Sequence, residues 1–583
     1  MRSRFLLFPG LCVLVAGCWG EISEPSPMQA AGGGAANMGG GDSAPLDCSG
    51  IPGVTPLRRL STQQYQNTVR DLLTTSGLSS LTATVQPLLD AAPADSTLVF
   101  TGLDNRVSGQ HLSTWFDVAI AVGDRVSTDQ ASRTAIASAC ATATSLSATC
   151  VDGFLNGFGR RAMRRPLTAQ EATRLRALND GVRPPPEALR AMVVTLLLSP
   201  SFLNHVEVDG AATPEGPLQL TAFELASRLS YTFWQTLPDD ALLDAAASGA
   251  LLTEAGYQAQ LTRLFDDPRT RRTLWLFWRE WLKLDAFSGF ATGRPGFRSL
   301  TQGLRFGEPG HDHYADMVQE VKALTEYVTF DRPASFETLL STDVSLTRST
   351  DLAALYGVPV FSGTGEPPRF TDGSRKGLLQ RAALLVNNIE QTNPFHRGAL
   401  LRRTILCDPL PQPDPNNLPP GSLDPPVSSA TDTTRQRYEK KIAGNNLCVG
   451  CHETFTPMGY VQESYDAIGR FRTTEKIYDE QTGALLADLP LSTSAVARVS
   501  FDDERLVSGP AELNQRIIES GRAAACLAKN FTRFTARREA TSNVDRCAEA
   551  ELATRLRGAS TLAEVFRSIA EAPSFRLKVV GAP

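Results

Sequence analysis

The stretch Thr221-Ala-Phe-Glu-Leu-Ala-Ser-Arg-Leu-Ser-Tyr-Thr-Phe-Trp-Gln-Thr-Leu-Pro-Asp-Asp240 decides the fold class. Thr221 and Glu224 form a capping-box pattern, in which each side chain satisfies a backbone N–H left open by the first helical turn. Leu225, Leu229 and Phe233 follow at helical spacing, so the stretch reads as an amphipathic helix. The same signature recurs twice. Ser61 with Gln64 precedes one face made of Leu60, Tyr65, Val69 and Leu72. Thr168 with Glu171 precedes Leu175 and Leu178. After Asp267-Pro268 a longer helix carries Leu274, Trp275, Phe277, Trp278 and Trp281, an aromatic stripe that reads as core rather than cofactor box. Ala191 to Leu203, broken by Thr195 and Ser199-Pro200, reads as a core helix. Strand signals are sparse. The turn Asp479 to Gly483, with short β-prone runs around it, predicts a small hairpin. The expected class is mainly α: several helical modules in series, with a small β-hairpin element near residues 476–507.

Composition agrees with a large folded body. Of 583 residues, 42% are hydrophobic and 20% charged, which excludes global disorder. The length suggests about three to five compact units. Lys+Arg 57 against Asp+Glu 62 gives a net charge of −5, which carries no nucleic-acid footprint. Nowhere downstream of the N-terminus is an apolar run long enough to span a bilayer.

The N-terminus reads as an export signal. Arg2 and Arg4 precede an apolar run from Phe5 to Ala16, too short for a membrane span. It ends in Val15-Ala16-Gly17-Cys18, which resembles a bacterial lipobox with Cys18 as the lipidated first residue of the mature chain. Residues 19–47 are rich in Gly, Ser, Pro and Ala and read as a tether. The expected address is outside the cytoplasm, lipid-anchored at a bacterial membrane and facing the periplasm or the cell surface.

The strongest chemical signal is Cys448-Val449-Gly450-Cys451-His452. C-x-x-C-H is the attachment pattern of c-type haem. Two thiols three residues apart reach the two vinyl-derived carbons of one porphyrin edge, and the next residue sets an imidazole under the iron. With 10 Cys and 6 His in the chain, roughly 0.002 chance matches are expected. A local disulfide and half of a zinc site remain open as competing readings. No second ligand pair for zinc stands nearby.

At these residues the chain resembles a multi-module exported family built from domains of unknown function 1587, 1595, 1592, 1588 and 1585, associated with planctomycete-type cytochromes. The matching stretches are Pro56 to Leu60 with Tyr65 to Leu73, Gly159 to Leu167, Phe223 to Asp240, Gly377 to Cys407, and Cys448 to Arg472. The last is similar to the family pattern C-x-G-C-H, D-P-x-G, F-D-x-I-G-R-x-R. Thr456 stands in place of its Asp and Tyr465 in place of its Phe. The resemblance covers most of residues 50–580 and implies haem, but no activity. The modules are expected at 1–17 (signal), 18–47 (tether), 48–135, 136–210, 214–345, 346–407, 408–428 (a Pro-rich, extended linker), 429–475 (the C-x-x-C-H module) and 476–583 (hairpin, then helices).

His452 is the expected proximal iron ligand. No His follows it, and Met458 lies too close to wrap a porphyrin edge easily, with Pro457 and Gly459 predicting a turn. A distal ligand therefore comes from upstream or is absent. Of His396, His311, His313, Met317, His205 and His111, His396 is favoured as distal candidate because it shares the family module. Glu463 and Asp466 read as capping or solvent-facing rather than as an acid/base pair, and Arg470 and Arg472 as surface salt bridges rather than propionate partners. His311-Asp312-His313 lacks an obvious third metal ligand and reads as an exposed polar loop. Among the remaining cysteines, closeness in sequence pairs Cys140 with Cys150 and Cys526 with Cys547, which leaves Cys48 with Cys407. The function expected is that of a lipoprotein carrying one covalent haem c, serving electron transfer or redox support with an unidentified redox partner protein. The rival is a haem-free binding or scaffold lipoprotein acting on extracellular polymers. No hydrolase, nucleotide or metalloprotease motif is present.

Overall fold

The capping box at Thr221 does more than start a helix. In the computed structural model, which describes residues 48 and 51–579 apart from 97–99, 211–215, 307, 309–310, 412–417, 419 and 445, both arms of the box form at the head of helix Ala222–Phe233. Glu224 also accepts from the Asp209 N–H at 3.0 Å and from Lys578 Nζ at 2.5 Å. Lys578 is wholly buried and lies in the strand Leu577–Lys578, which pairs antiparallel with Leu218–Gln219. One helix start is thus fastened to the far end of the chain.

The same helix stands between two hydrophobic cores. Leu225, Leu229 and Phe233 enter a large core built from residues between 100 and 575. Tyr231, on the other side, enters a smaller core made mostly of residues 60–203. The Tyr231 hydroxyl lies 2.8 Å from Thr68 Oγ1. Buried on both sides, the helix has few positions left for charge, which explains its composition. The boxes at Ser61 and Thr168 likewise form, heading Thr62–Thr75 and Ala169–Arg176.

Helix Pro268–Trp281 carries the aromatic stripe inward. The Phe277 ring packs edge-on against Phe531 at 5.2 Å, Phe534 at 5.5 Å and Phe566 at 6.1 Å. These partners come from the C-terminal helices Arg522–Ala536 and Leu562–Ser568. The chain is mainly helical, with short antiparallel strand pairs. The expected hairpin is Thr474–Tyr478 with Leu485–Pro490, followed by a second pair, Ser494–Val496 with Leu506–Ser508. The core helix expected over 191–203 is two helices, Pro185–Leu197 and Pro200–Leu203, parted where Pro200 starts a new first turn. Among the described residues no helix is long and apolar enough to cross a membrane. Cys18 and the tether lie outside the described residues, as does part of the Pro-rich linker.

The disulfides correct the pairing by sequence proximity. Cys140 bonds Cys150, but Cys526 bonds Cys407 and Cys547 bonds Cys48. Neither the Cys526–Cys547 nor the Cys48–Cys407 pairing forms. The reason is spatial: a bridge needs Cα atoms within about 7 Å. The fold sets the first described residue beside helix Asn543–Arg557, with the two Cα atoms 5.8 Å apart. It also sets residue 407 against helix Arg522–Ala536, at 5.4 Å.

Candidate functional site

Cys448, Cys451 and His452 lie on the short helix Asn446–His452. Positions three apart share a helix face, so the two cysteines present their sulfurs on one side. Both side chains are half-buried, and neither cysteine joins the three disulfides. His452 Nδ1 lies 3.0 Å from Thr456 Oγ1. When that hydroxyl accepts from Nδ1–H, Nε2 keeps the lone pair a metal needs. Burial pushes the imidazole pKa below its ordinary value, which favours that neutral form. The ring is flanked by Phe395, centroid to centroid 3.9 Å, and by Phe455 at 4.9 Å. Two thiols and one oriented imidazole on adjacent turns can take two thioether bonds and one metal ion.

The segment after the motif is a helix, Thr456–Val461, where a turn was expected at Pro457 and Gly459. Pro457 occupies the first turn, where its missing N–H costs nothing. Gly459 is where this helix meets Pro394–Leu400: a Cβ there would fall 1.9 Å from the Pro394 carbonyl oxygen. The contact is reciprocal, since a Cβ on Gly398 would fall 2.2 Å from the Phe455 carbonyl oxygen. Two glycines therefore let the backbones touch, and that contact carries Phe395 onto His452. Met458 points away into the large core, fully buried.

Arginines complete the mounting. Arg397 is buried and donates to the carbonyls of Leu385, Gln462, Tyr465 and Asp466. Arg402, also buried, reaches the Thr454 and Arg498 carbonyls and pairs with Asp408 at 2.9 Å. Each guanidinium ties residues 385–408 to the chain around the motif, mainly through backbone acceptors.

Of the sequence-predicted groups, Glu463 and Asp466 are buried rather than solvent-facing. Glu463 accepts from Thr392 at 2.7 Å and pairs with Arg472 at 2.9 Å. Asp466 accepts the N–H groups of Ile468 and Arg470 and pairs with the Arg470 side chain at 2.9 Å. These four build the corner that closes the module, so Arg470 and Arg472 are committed within the protein. Tyr465, the departure from the family pattern, uses its added hydroxyl to donate to the Ser374 carbonyl at 2.7 Å. His111 and His205 are buried core residues, bonded to Ser108 and Gln64. Met317 is buried in the large core. His396 is exposed, beside Phe395 on the helix that abuts the motif. Phe395, not His396, makes the contact with His452. Sequence reasoning missed Thr456 and Phe395. The spacing of four from His452 was a usable signal for the first; nothing local marks the second.

A cavity of about 410 Å³ lies elsewhere, lined by Arg58, His205, Glu207, Arg228, Arg537 and Phe575 among others. Arg537 is 8% exposed and makes no hydrogen bond among the described residues. Burial pushes its pKa down to about 10.

Residues 375–475, which hold the whole motif site, match PSCyt3, a protein of unknown function (DUF1588). Upstream, residues 58–128 match PSD3 (DUF1587), 150–207 match PSD5 (DUF1595) and 220–358 match PSD4 (DUF1592), each a protein of unknown function. The chain belongs to this multi-module family. No curated protein and no solved structure matches it. Within the family pattern, the position at which Thr456 replaces an Asp is the one that meets His452 Nδ1, so the departure falls on the group that orients the imidazole.

Proposed function

We propose that this family member is an exported lipoprotein, anchored through Cys18, that carries one covalent haem c and serves electron transfer outside the cytoplasm. Cys448 and Cys451 would hold the porphyrin and His452 the iron. One observation carries the reading: the two thiols share a helix face, and the next residue is an imidazole whose Nδ1 is engaged by Thr456. The name of the matching module, PSCyt3, supports a cytochrome-type role. Bound there, haem supplies a one-electron couple. The protein's own part is to fix the imidazole through Thr456, to cover its ring with Phe395, and to mount the motif through Arg397 and Arg402. Of the upstream histidines only His396 is both exposed and on an element that abuts the motif, so it is the residue that would hold the iron's other face. The electron partner would be a second redox protein, and the membrane is met through the N-terminal lipid.

The large cavity, where Arg537 faces the charge of Glu207 without a hydrogen bond among the described residues, favours a second reading, a binding lipoprotein for a small acid. One experiment separates the two. The chain is produced with c-type haem maturation and its haemochrome spectrum recorded beside Cys448→Ala, Thr456→Val and His396→Ala. Covalent haem lost in Cys448→Ala, with an iron spectrum altered in Thr456→Val and in His396→Ala, is expected. No covalent haem, where a control cytochrome matures, defeats the redox proposal and leaves the binding reading.

A further inference from the structure

The polar loop at His311 is better equipped than its sequence suggests. Asp312 caps helix His313–Glu326 by accepting the Ala315 N–H at 3.0 Å. That turn places Asp316 on the same face as His313, three residues on. Helix Thr350–Tyr356 brings Asp351 in from the opposite side. His311 Nε2 lies 3.1 Å from an Asp316 carboxylate oxygen and 3.2 Å from Asp351 Oδ2. His313 Nδ1 lies 3.8 Å from that same Asp351 oxygen. One donor atom each from His311, His313 and Asp316 all fall within 4.8 Å of one another.

Two details distinguish this group from an ordinary ion-pair cluster. First, a protonated His311 donating to a carboxylate would give similar separations, yet its buried Nε2 has hydrogen-bond geometry to neither oxygen. Second, His313 Nε2 lies 3.0 Å from the Arg305 carbonyl oxygen, which only accepts. Nε2 therefore carries a proton to that carbonyl, which leaves Nδ1 as the ring nitrogen that faces Asp351. Nδ1 and the Asp351 oxygen face each other at 3.8 Å, too long for a hydrogen bond, with the ring fixed against Phe306 at 4.1 Å. A carbonyl that locks one ring nitrogen so that the other can ligate is a recurring support of metal-bound histidine. The carboxylates are anchored as well: Asp316 accepts from Ser349 Oγ, and Asp351 from Arg305 at 2.9 Å and 3.0 Å.

We propose that His311 Nε2, His313 Nδ1 and Asp316, with Asp351 as fourth donor, bind a divalent transition-metal cation of the zinc class. Metal–donor bonds of about 2.0–2.2 Å in a tetrahedron set neighbouring donors roughly 3.3–3.6 Å apart. The distances of 3.1, 3.2 and 3.8 Å bracket that spacing. Imidazole nitrogen with carboxylate oxygen suits this class rather than calcium or magnesium, which take oxygen alone. The ion would pin the loop before His313 to the helices that begin at His313 and Thr350. This proposal is independent of the haem reading.

The test uses the full chain bearing Cys448→Ala and Cys451→Ala, so that the motif thiols hold neither haem nor zinc. After chelator treatment, zinc alone is titrated by calorimetry and bound metal is counted by mass spectrometry. One zinc per chain with micromolar or tighter affinity is expected, along with a rise in melting temperature on zinc addition. His311→Ala, His313→Ala and Asp316→Asn should each weaken binding by at least ~10–100-fold. Asp331→Asn, an exposed surface pair with Arg271, should change nothing. Absence of stoichiometric zinc in the parent chain overturns the proposal whether or not any variant folds. So does zinc held at parental affinity by His311→Ala/His313→Ala.

Discussion

Replacing Gly459 with Ala sets two physical effects against each other, and the structure decides the sign. Helix propensity alone favours alanine inside a helix by roughly 1 kcal/mol. Gly459 lies within helix Thr456–Val461, so on that ground the substitution stabilises. The packing says otherwise, because the new Cβ would stand 1.9 Å from the Pro394 carbonyl oxygen, 2.7 Å from its carbon and 2.9 Å from its Cα. An ordinary contact needs about 3.4 Å, so the two helices must part by roughly 1.5 Å. The three nearest obstructing atoms are all backbone, so no side-chain rotation relieves them. Parting the helices opens the core around Met458 and Val461 and lifts Phe395 from the His452 ring. Overpacking of this kind costs about 1–3 kcal/mol, and lost core contacts add to it, so a net destabilisation of about 2–3 kcal/mol is expected after the propensity gain. Urea unfolding followed by circular dichroism reads the change as a lowered midpoint. Gly450→Ala is the internal control. It is also helical, but its Cβ would meet nothing within 4 Å, so its midpoint should hold or rise. A Gly459→Ala midpoint at or above the parent's would refute the close-contact argument.

Burial raises the carboxyl pKa of Glu280 to about 7, with Thr101 hydrogen bonds as the main offset. The folded chain then holds a proton that the unfolded chain releases above its ordinary pKa near 4.5, so stability falls as pH rises through that window. Glu280→Gln should flatten the fall and stabilise the chain at pH 8 by on the order of 1–2 kcal/mol; unchanged stability–pH curves would count against it. Peptide mapping without reduction should recover Cys48–Cys547, Cys140–Cys150 and Cys407–Cys526, and a Cys526–Cys547 peptide would contradict the fold. Because Cys407 and Cys526 stand 119 residues apart, Cys407→Ala/Cys526→Ala should cost up to about 5 kcal/mol in chain-entropy terms.

The sequence by itself determined what depends on neighbours along the chain. Capping boxes at Ser61, Thr168 and Thr221, the aromatic face of Pro268–Trp281, the turn at Asp479 to Gly483 and the C-x-x-C-H spacing all act over a few residues, so their patterns are complete in the local text. The family was legible for the same reason, since its motifs are contiguous.

Tertiary structure alone decided what depends on contact between distant segments. Cys48 finds Cys547 across a separation of 499 residues, and Lys578 finds Glu224. Gly459 reads locally as a turn former and proves to be a helix contact. His311 and His313 meet Asp351 only because it arrives from another helix. Arg397 and Arg402 find their backbone carbonyl partners only once distant segments are folded around them. Local patterns are set by bonds between residues three or four apart. A close backbone approach, a buried guanidinium and a ligand set arise from which surfaces the two cores bring together, and no short window of sequence contains both partners.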